Sequence, residues 1–116
     1  MASPKRGEVW LVQLDPTRGA EMQKTRPAAI ISSDLFEAQP LRIIVPITTW
    51  QEKFARWPFM VPIKQSITNG LTRDSAGNTL QVRSIAIERL SKKIGILSDA
   101  EIVALATGIA LCIDYK

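Results

Sequence analysis

The apolar residues of this chain come in short β-branched or aromatic runs, and a turn former cuts off each one. Val9-Trp10-Leu11-Val12-Gln13-Leu14 stops at Asp15-Pro16. Ala28 to Ser32 follows a polar loop over residues 17–25, and Arg42-Ile43-Ile44-Val45 meets Pro46, which places its end at an edge or bulge. Phe59-Met60-Val61-Pro62-Ile63, Thr79-Leu80-Gln81-Val82 and Ser91 to Leu97 read as further strands. Turns are expected at Thr68-Asn69-Gly70-Leu71 and at Ala76-Gly77-Asn78, and Ser33-Asp34 caps one helical turn that Pro40 stops. Ser84 to Leu90 fits a strand and a helical turn equally well.

The rhythm changes at Ser98. Ser98-Asp99-Ala100-Glu101 has capping-box spacing, and Ile102, Leu105, Ala106, Ile109, Cys112 and Ile113 then recur every three or four residues as one helical stripe. Gly108 costs that helix about 1 kcal/mol against Ala, and the stripe must pack on a sheet face or a partner. A chain of 116 residues supports one core, so residues 1–116 are read as one domain. The fold class is mainly β (α+β): five to seven short strands in a small, strongly bent antiparallel sheet with a C-terminal helix. A partly closed barrel is the economical form, because it hides strand edges.

Composition narrows the chemistry by what is absent. There is no histidine, which removes imidazole acid–base catalysis, Ser-His-Asp and Cys-His triads and nearly all zinc chemistry. No acidic cluster has metal-site spacing, so neither metal nor cofactor is expected. Catalysis would have to use carboxylates, Lys or Arg cations, hydroxyls and backbone dipoles. The single Cys112 can form no internal disulfide and reads as a structural thiol on the helix, as suits a reducing cytosol. No apolar run reaches the roughly 20 residues of a membrane span, and the N-terminus is polar from Lys5 and Arg6 onward, so a cytoplasmic protein is expected. A net charge of +4 is compatible with a polyanionic partner without requiring one.

Residues 19–27 concentrate the polar groups. Glu21, Lys24, Thr25 and Arg26 stand in a loop that enters an apolar strand through Pro27. This run resembles the signature of the MazF/PemK family of bacterial mRNA interferase toxins. The resemblance spans about Arg6 to Leu97. Arg6-Gly7-Glu8-Val9-Trp10, Leu14-Asp15-Pro16-Thr17-Arg18-Gly19, Val45-Pro46-Ile47-Thr48, Gly70-Leu71 with Asp74-Ser75, Gln81-Val82-Arg83-Ser84-Ile85 and Arg89 to Gly95 match in order and spacing. It implies a homodimeric, SH3-like barrel that acts as the toxin of a type II toxin–antitoxin pair in a bacterial cytoplasm. The implied activity is metal-independent, ribosome-independent, sequence-specific cleavage of single-stranded RNA. The 2′-hydroxyl attacks the adjacent phosphorus and leaves a 2′,3′-cyclic phosphate and a 5′-hydroxyl. A cognate antitoxin, expected to be an acidic peptide, is implied as the protein partner.

By the same resemblance Arg26 and Thr48 hold the central catalytic positions, with Glu21 in a supporting one. A guanidinium is always charged and grips two phosphate oxygens in a fork, which suits Arg26 to the charge that builds at phosphorus. Thr48 can donate to a nonbridging oxygen, and Glu21 is a candidate for base or for orienting Arg26. Lys24, Thr25 and Arg83 are candidate RNA contacts. The segment from Trp50 through Lys53, Phe54 and Arg56 to Trp57 interleaves rings and cations, as readers of unpaired bases do. Its rings could equally fold back as a cap, Arg26 could pair with a surface carboxylate, Thr48 could only end a strand, and Glu21 could be a solvated charge. Leu80 and Ala86-Ile87 depart from the family pattern, where acidic and Asp-Lys residues are common. Two other functions stay open: a noncatalytic toxin on the same fold resembling the CcdB gyrase inhibitors, and an RNA-binding relative without catalysis.

Overall fold

The longest strand organises the molecule. In the computed structural model, which describes residues 3–115, β3 (Leu41–Thr49) carries pairing partners along both edges. On one edge lies β2 (Thr25–Ile30), with Ala28 opposite Pro46 and Ile30 opposite Ile44. Beyond β2 lies β1 (Glu8–Gln13). On the other edge β5 (Ser75–Asn78) pairs with Ile47–Thr49, and β6 (Arg83–Ala86) with Leu41–Ile44. β4 (Met60–Ile63) extends the sheet beyond β5, and β7 (Leu90–Ile96) extends it beyond β1. All pairings are antiparallel.

Between the Ile47–Gly77 and Ile44–Arg83 pairs, three steps along β3 match six along the opposing chain. The surplus is taken up by a 3-10 turn at Thr79–Gln81, so the sheet bends there as at a bulge. Two expectations are corrected at this point: Ala76-Gly77-Asn78 is strand rather than turn, and Thr79-Leu80-Gln81 is turn rather than strand. The cause lies overhead. A Cβ on Gly77 would lie 2.5 Å from Leu105 Cδ2, so the small residues are needed where the helix presses on the sheet. The β3 strand also runs through Pro46 instead of ending there. On that edge Pro46 falls in the gap between β6 and β5, so its missing N–H interrupts no ladder there. The segment Ser84 to Leu90 resolves into both forms the sequence allowed, with β6 followed by a 3-10 turn at Ile87–Arg89.

The pleat sends alternate residues to opposite faces, and both faces are covered. Val9, Ala29, Ile31, Val45 and Ile47 join Val61, Ile63, Leu71 and Leu97 under the helix, which contributes Leu105. Trp10, Val12, Leu14, Ala28, Ile30, Ile44, Ile85 and Leu90 fill the other face. The sheet does not close on itself, since β4 and β7 end the strand order at opposite sides. "Barrel" is therefore a loose description of a strongly bent open sheet.

α1 (Asp99–Cys112) begins as its sequence demands. Ser98 Oγ accepts from the Glu101 N–H, and Glu101 Oε1 accepts from the Ser98 N–H. Its contact line is narrower than the stripe suggests: Leu105 and Gly108 are buried, Ile102 and Ile109 pack beside them, and Ile113 is 68% exposed. Cys112 is half-buried, its Sγ 3.6 Å from Thr79 Oγ1. Ahead of the sheet, the buried Arg42 guanidinium donates to the carbonyls of Pro4, Glu37, Gln39 and Leu41 and to Ser3 Oγ, which fixes the N-terminal segment. Among the described residues no helix is long and apolar enough to cross a membrane.

Candidate active site

The register that pairs Ala28 with Pro46 brings Arg26 opposite Thr48 two residues further on. Neither residue is in a loop: β2 already begins at Thr25, and Arg26 pairs with Val12 of β1. Arg26 Nη1 lies 3.4 Å from Thr48 Oγ1 and donates to it, and Nε donates to the Gln23 carbonyl at 3.0 Å. A guanidinium has five N–H donors, so this leaves others facing outward for a ligand.

Arg26 and Thr48 share a groove of about 450 Å³ with Thr25, Pro27, Thr49, Leu11, Ile47 and Ile94. Its remaining wall is the segment Gly70–Arg73 with Ser75, of which only Gly70, Leu71 and Ser75 carry the family resemblance. The lining holds two guanidiniums, those of Arg26 and Arg73, together with five hydroxyls and no carboxylate. Such a surface donates hydrogen bonds and carries positive charge, which fits an anion with several oxygens.

The wall is built from the core outward. Leu71 is buried under the helix, and Gly70 has φ +72°. A Cβ at Gly70 would stand 1.9 Å from the Ile94 carbonyl oxygen, so only glycine lets this loop lie against β7. The fully buried Asn69 holds the approach. Its Oδ1 accepts from the Ser66 and Leu71 N–H groups, and its Nδ2 donates to the Lys64 carbonyl and, at 3.3 Å, to Glu101 Oε2. The carboxylate that caps α1 thus also braces the groove.

The other expected site residues lie elsewhere. The Glu21 carboxylate accepts from the Arg18 N–H and lines a separate hollow with Leu14, Met22, Leu80, Gln81 and Arg83. It makes no contact that orients Arg26, whose partners are Gln23 and Thr48. Arg83 donates to the Leu14 carbonyl, and Gln81 Oε1 accepts from the Met22 N–H, so this side anchors the signature loop. Leu80 is exposed there. Lys24 is exposed with φ +69°, its carbonyl accepting from the Leu14 N–H.

In the aromatic segment, Phe54 is 6% exposed and clusters with Met60 and Ala76, with Trp50 and Phe59 packed against them. The rings fold back as a cap, and Phe54 has no face free for a base. Trp57, 40% exposed and stacked on Phe59, is the most open of these rings, beside the exposed Lys53 and Arg56. Among the described residues no cluster of Cys, Asp or Glu is placed to hold a metal ion.

Residues 5–113 match the family described as PemK-like, MazF-like toxin of type II toxin–antitoxin system. The chain belongs to this family. A relative with 39% identity is the endoribonuclease MazF9 of Mycobacterium tuberculosis, matched over 95% of this chain and 96% of its own length. The endoribonuclease PemK of Escherichia coli is 34% identical over 76% of this chain and 68% of its own. Among solved structures, MazF of Deinococcus radiodurans superposes with a TM-score of 0.83 at 16% identity, covering 98% of this chain and 99% of its own. A mycobacterial endoribonuclease solved with its cognate antitoxin gives 0.76 at 18% identity, covering 97% of each chain. At those identities the MazF structures speak to the fold alone.

Proposed function

We propose that this chain is the toxin of a toxin–antitoxin pair and acts as an endoribonuclease on single-stranded RNA in a bacterial cytoplasm. The observation that carries the reading is the groove in which Arg26 and Thr48 converge with no carboxylate in its lining. Family membership and relatives named as endoribonucleases support it. A phosphodiester seated there places its nonbridging oxygens on the Arg26 fork and the Thr48 hydroxyl. Attack by the neighbouring 2′-hydroxyl then yields a five-coordinate phosphorus whose extra charge these donors stabilise more than they do the ground state. A bond forms from the 2′-oxygen to phosphorus and the bond to the 5′-oxygen breaks; the 2′-hydroxyl gives its proton to water and the 5′-oxygen takes one up from water, leaving a 2′,3′-cyclic phosphate and a 5′-hydroxyl. What the groove supplies is charge and orientation. Its lining supplies no carboxylate base.

An acidic antitoxin segment competes for the same cations, and two copies of the chain form the working unit. Exposed apolar residues such as Leu41 and Ile43, which alternate along β3, support the pairing. A specific observation also favours a second reading, RNA binding without cleavage: the missing carboxylate, together with Leu80 standing exposed in the hollow beside Glu21. One assay separates the two. Purified protein is incubated with mixed-sequence single-stranded RNA in excess chelator, and the fragment ends are mapped. Cleavage at a short recurring sequence with 5′-hydroxyl ends, abolished by a 2′-deoxy nucleotide at the cut, supports the nuclease. Bound but intact RNA supports the second reading, and a cut that requires added metal overturns the mechanism.

A further inference from the structure

The groove contains a cation that the proposed reaction leaves unused. Arg73 comes from the loop before β5, whereas Arg26 comes from β2, yet both line one cavity. The loop around Arg73 is fixed by its other polar groups. The Ser75 hydroxyl donates to the Arg73 carbonyl at 2.8 Å, the Asp74 carboxylate accepts from the Gln65 N–H at 3.0 Å, and the Asp74 carbonyl accepts from the Trp50 N–H at 3.0 Å. Leu71 and Asn69 anchor the loop in the core. The Arg73 guanidinium itself has no hydrogen bond or ion pair among the described residues. Its neighbour Asp74 carries the nearest carboxylate in sequence, and that carboxylate is engaged with the Gln65 amide.

Two guanidiniums line one groove that contains no carboxylate, so the counter-charge for the exposed Arg73 must come from solvent ions or from a bound anion. A single phosphate is already served by the Arg26 fork and the Thr48 hydroxyl. A strand of RNA, however, brings a phosphate at every nucleotide. We propose that Arg73 grips a second phosphate of the bound strand, flanking the one at which the chain is cut, and so sets the register of the substrate. This rests on the endoribonuclease reading of the same groove. Arg73 acts on a phosphate that does not react, so its contribution is the same in the ground state and the transition state.

The test compares the wild-type protein with Arg73→Ala and Arg73→Lys on a short RNA containing one mapped cut site. Its counterpart with a 2′-deoxy nucleotide at the cut is used for binding. Arg73→Ala is expected to raise KM and the 2′-deoxy Kd by about tenfold while kcat falls less than threefold. The slope of log(kcat/KM) against log salt should shrink by about 0.7, the value of one released counterion on a single strand. Arg73→Lys should keep the slope and lose part of the affinity, because it keeps the charge without the fork. Neutral methylphosphonate linkages, placed singly on either side of the cut, identify the contact. One of them should weaken the wild type about tenfold and leave Arg73→Ala unaffected.

Unchanged KM, Kd and salt slope in Arg73→Ala overturn the proposal, as does a methylphosphonate penalty identical in both proteins at every linkage. If the wild type binds the 2′-deoxy strand but cuts no RNA, the nuclease reading fails alone, and the Kd comparison still decides Arg73. If it neither cuts nor binds, both fall.

Discussion

In the proposed reaction Arg26 would hold a phosphate and neutralise the charge of the five-coordinate state, and both tasks would rest on a side chain already aimed by Gln23 and Thr48. Arg26→Ala should therefore lower kcat by about 10²–10³-fold, the usual loss for one donor aimed at developing charge, in single-turnover cleavage of a mapped RNA. Glu21→Gln should lower it less than tenfold, because that carboxylate is held by the Arg18 amide and lines a different hollow. A loss as large as that of Arg26→Ala would return Glu21 to the reacting centre. Arg26 and Thr48 were legible in the sequence through the ordered motifs around them. Arg73 was not, since Thr72-Arg73-Asp74 reads as a solvated turn until Gly70 is seen pressed against β7. Glu21 is the opposite case, near Arg26 in sequence and placed apart from it in the fold. Only four residues separate it from Arg26, but β2 starts at Thr25 and carries Arg26 along the sheet, away from the loop.

At the scale of elements, α1 sits tightly on the turn at Thr79–Gln81 through Gly108. Gly108 costs the helix about 1 kcal/mol in propensity, so Gly108→Ala would stabilise an isolated helix by that amount. Here the new Cβ meets Thr79 Oγ1 at 2.9 Å, Thr79 Cγ2 at 2.8 Å and Val61 Cγ2 at 3.0 Å. Thr79 is fully buried and its hydroxyl is committed to the Phe59 carbonyl at 2.7 Å, so it cannot swing aside. Overpacking of this kind costs about 1–3 kcal/mol and should win, giving a net loss of stability in chemical denaturation. A stabilised variant would show that the helix can lift from the sheet. The capping box and the apolar runs made the helix and most strands readable in advance. The exchange of strand and turn across residues 76–82 was not readable, because the helix that requires small residues over β5 acts from more than 20 positions away in sequence.

For the molecule as a whole, the pairing of β1 with β7 ties the first strand to the last. Glu8 fastens it. Burial pushes its carboxyl up, but hydrogen bonds from the Lys5 N–H, the Trp10 indole and Lys93 outweigh that, helped by the Lys93 charge, and the net shift is downward. A carboxyl that titrates below its unfolded value stabilises fully above the ordinary carboxylate range and loses that contribution as pH falls through the folded pKa. Glu8→Gln should thus lower Tm by about 4 °C at neutral pH, corresponding to about 1 kcal/mol, and by nothing once the native carboxyl is protonated. A Tm difference independent of pH would assign the effect to packing. The groove has the same long-range construction, since its lining draws on β1, β2, β3, the 70–75 loop and Ile94 of β7. On a ribosome, Ile94 emerges only after most of the chain, on the order of ten seconds behind Arg26 at ordinary rates of synthesis. A half-made copy therefore has scattered cations and no assembled groove, so on the proposed function the messenger encoding this chain would meet the activity only in finished copies.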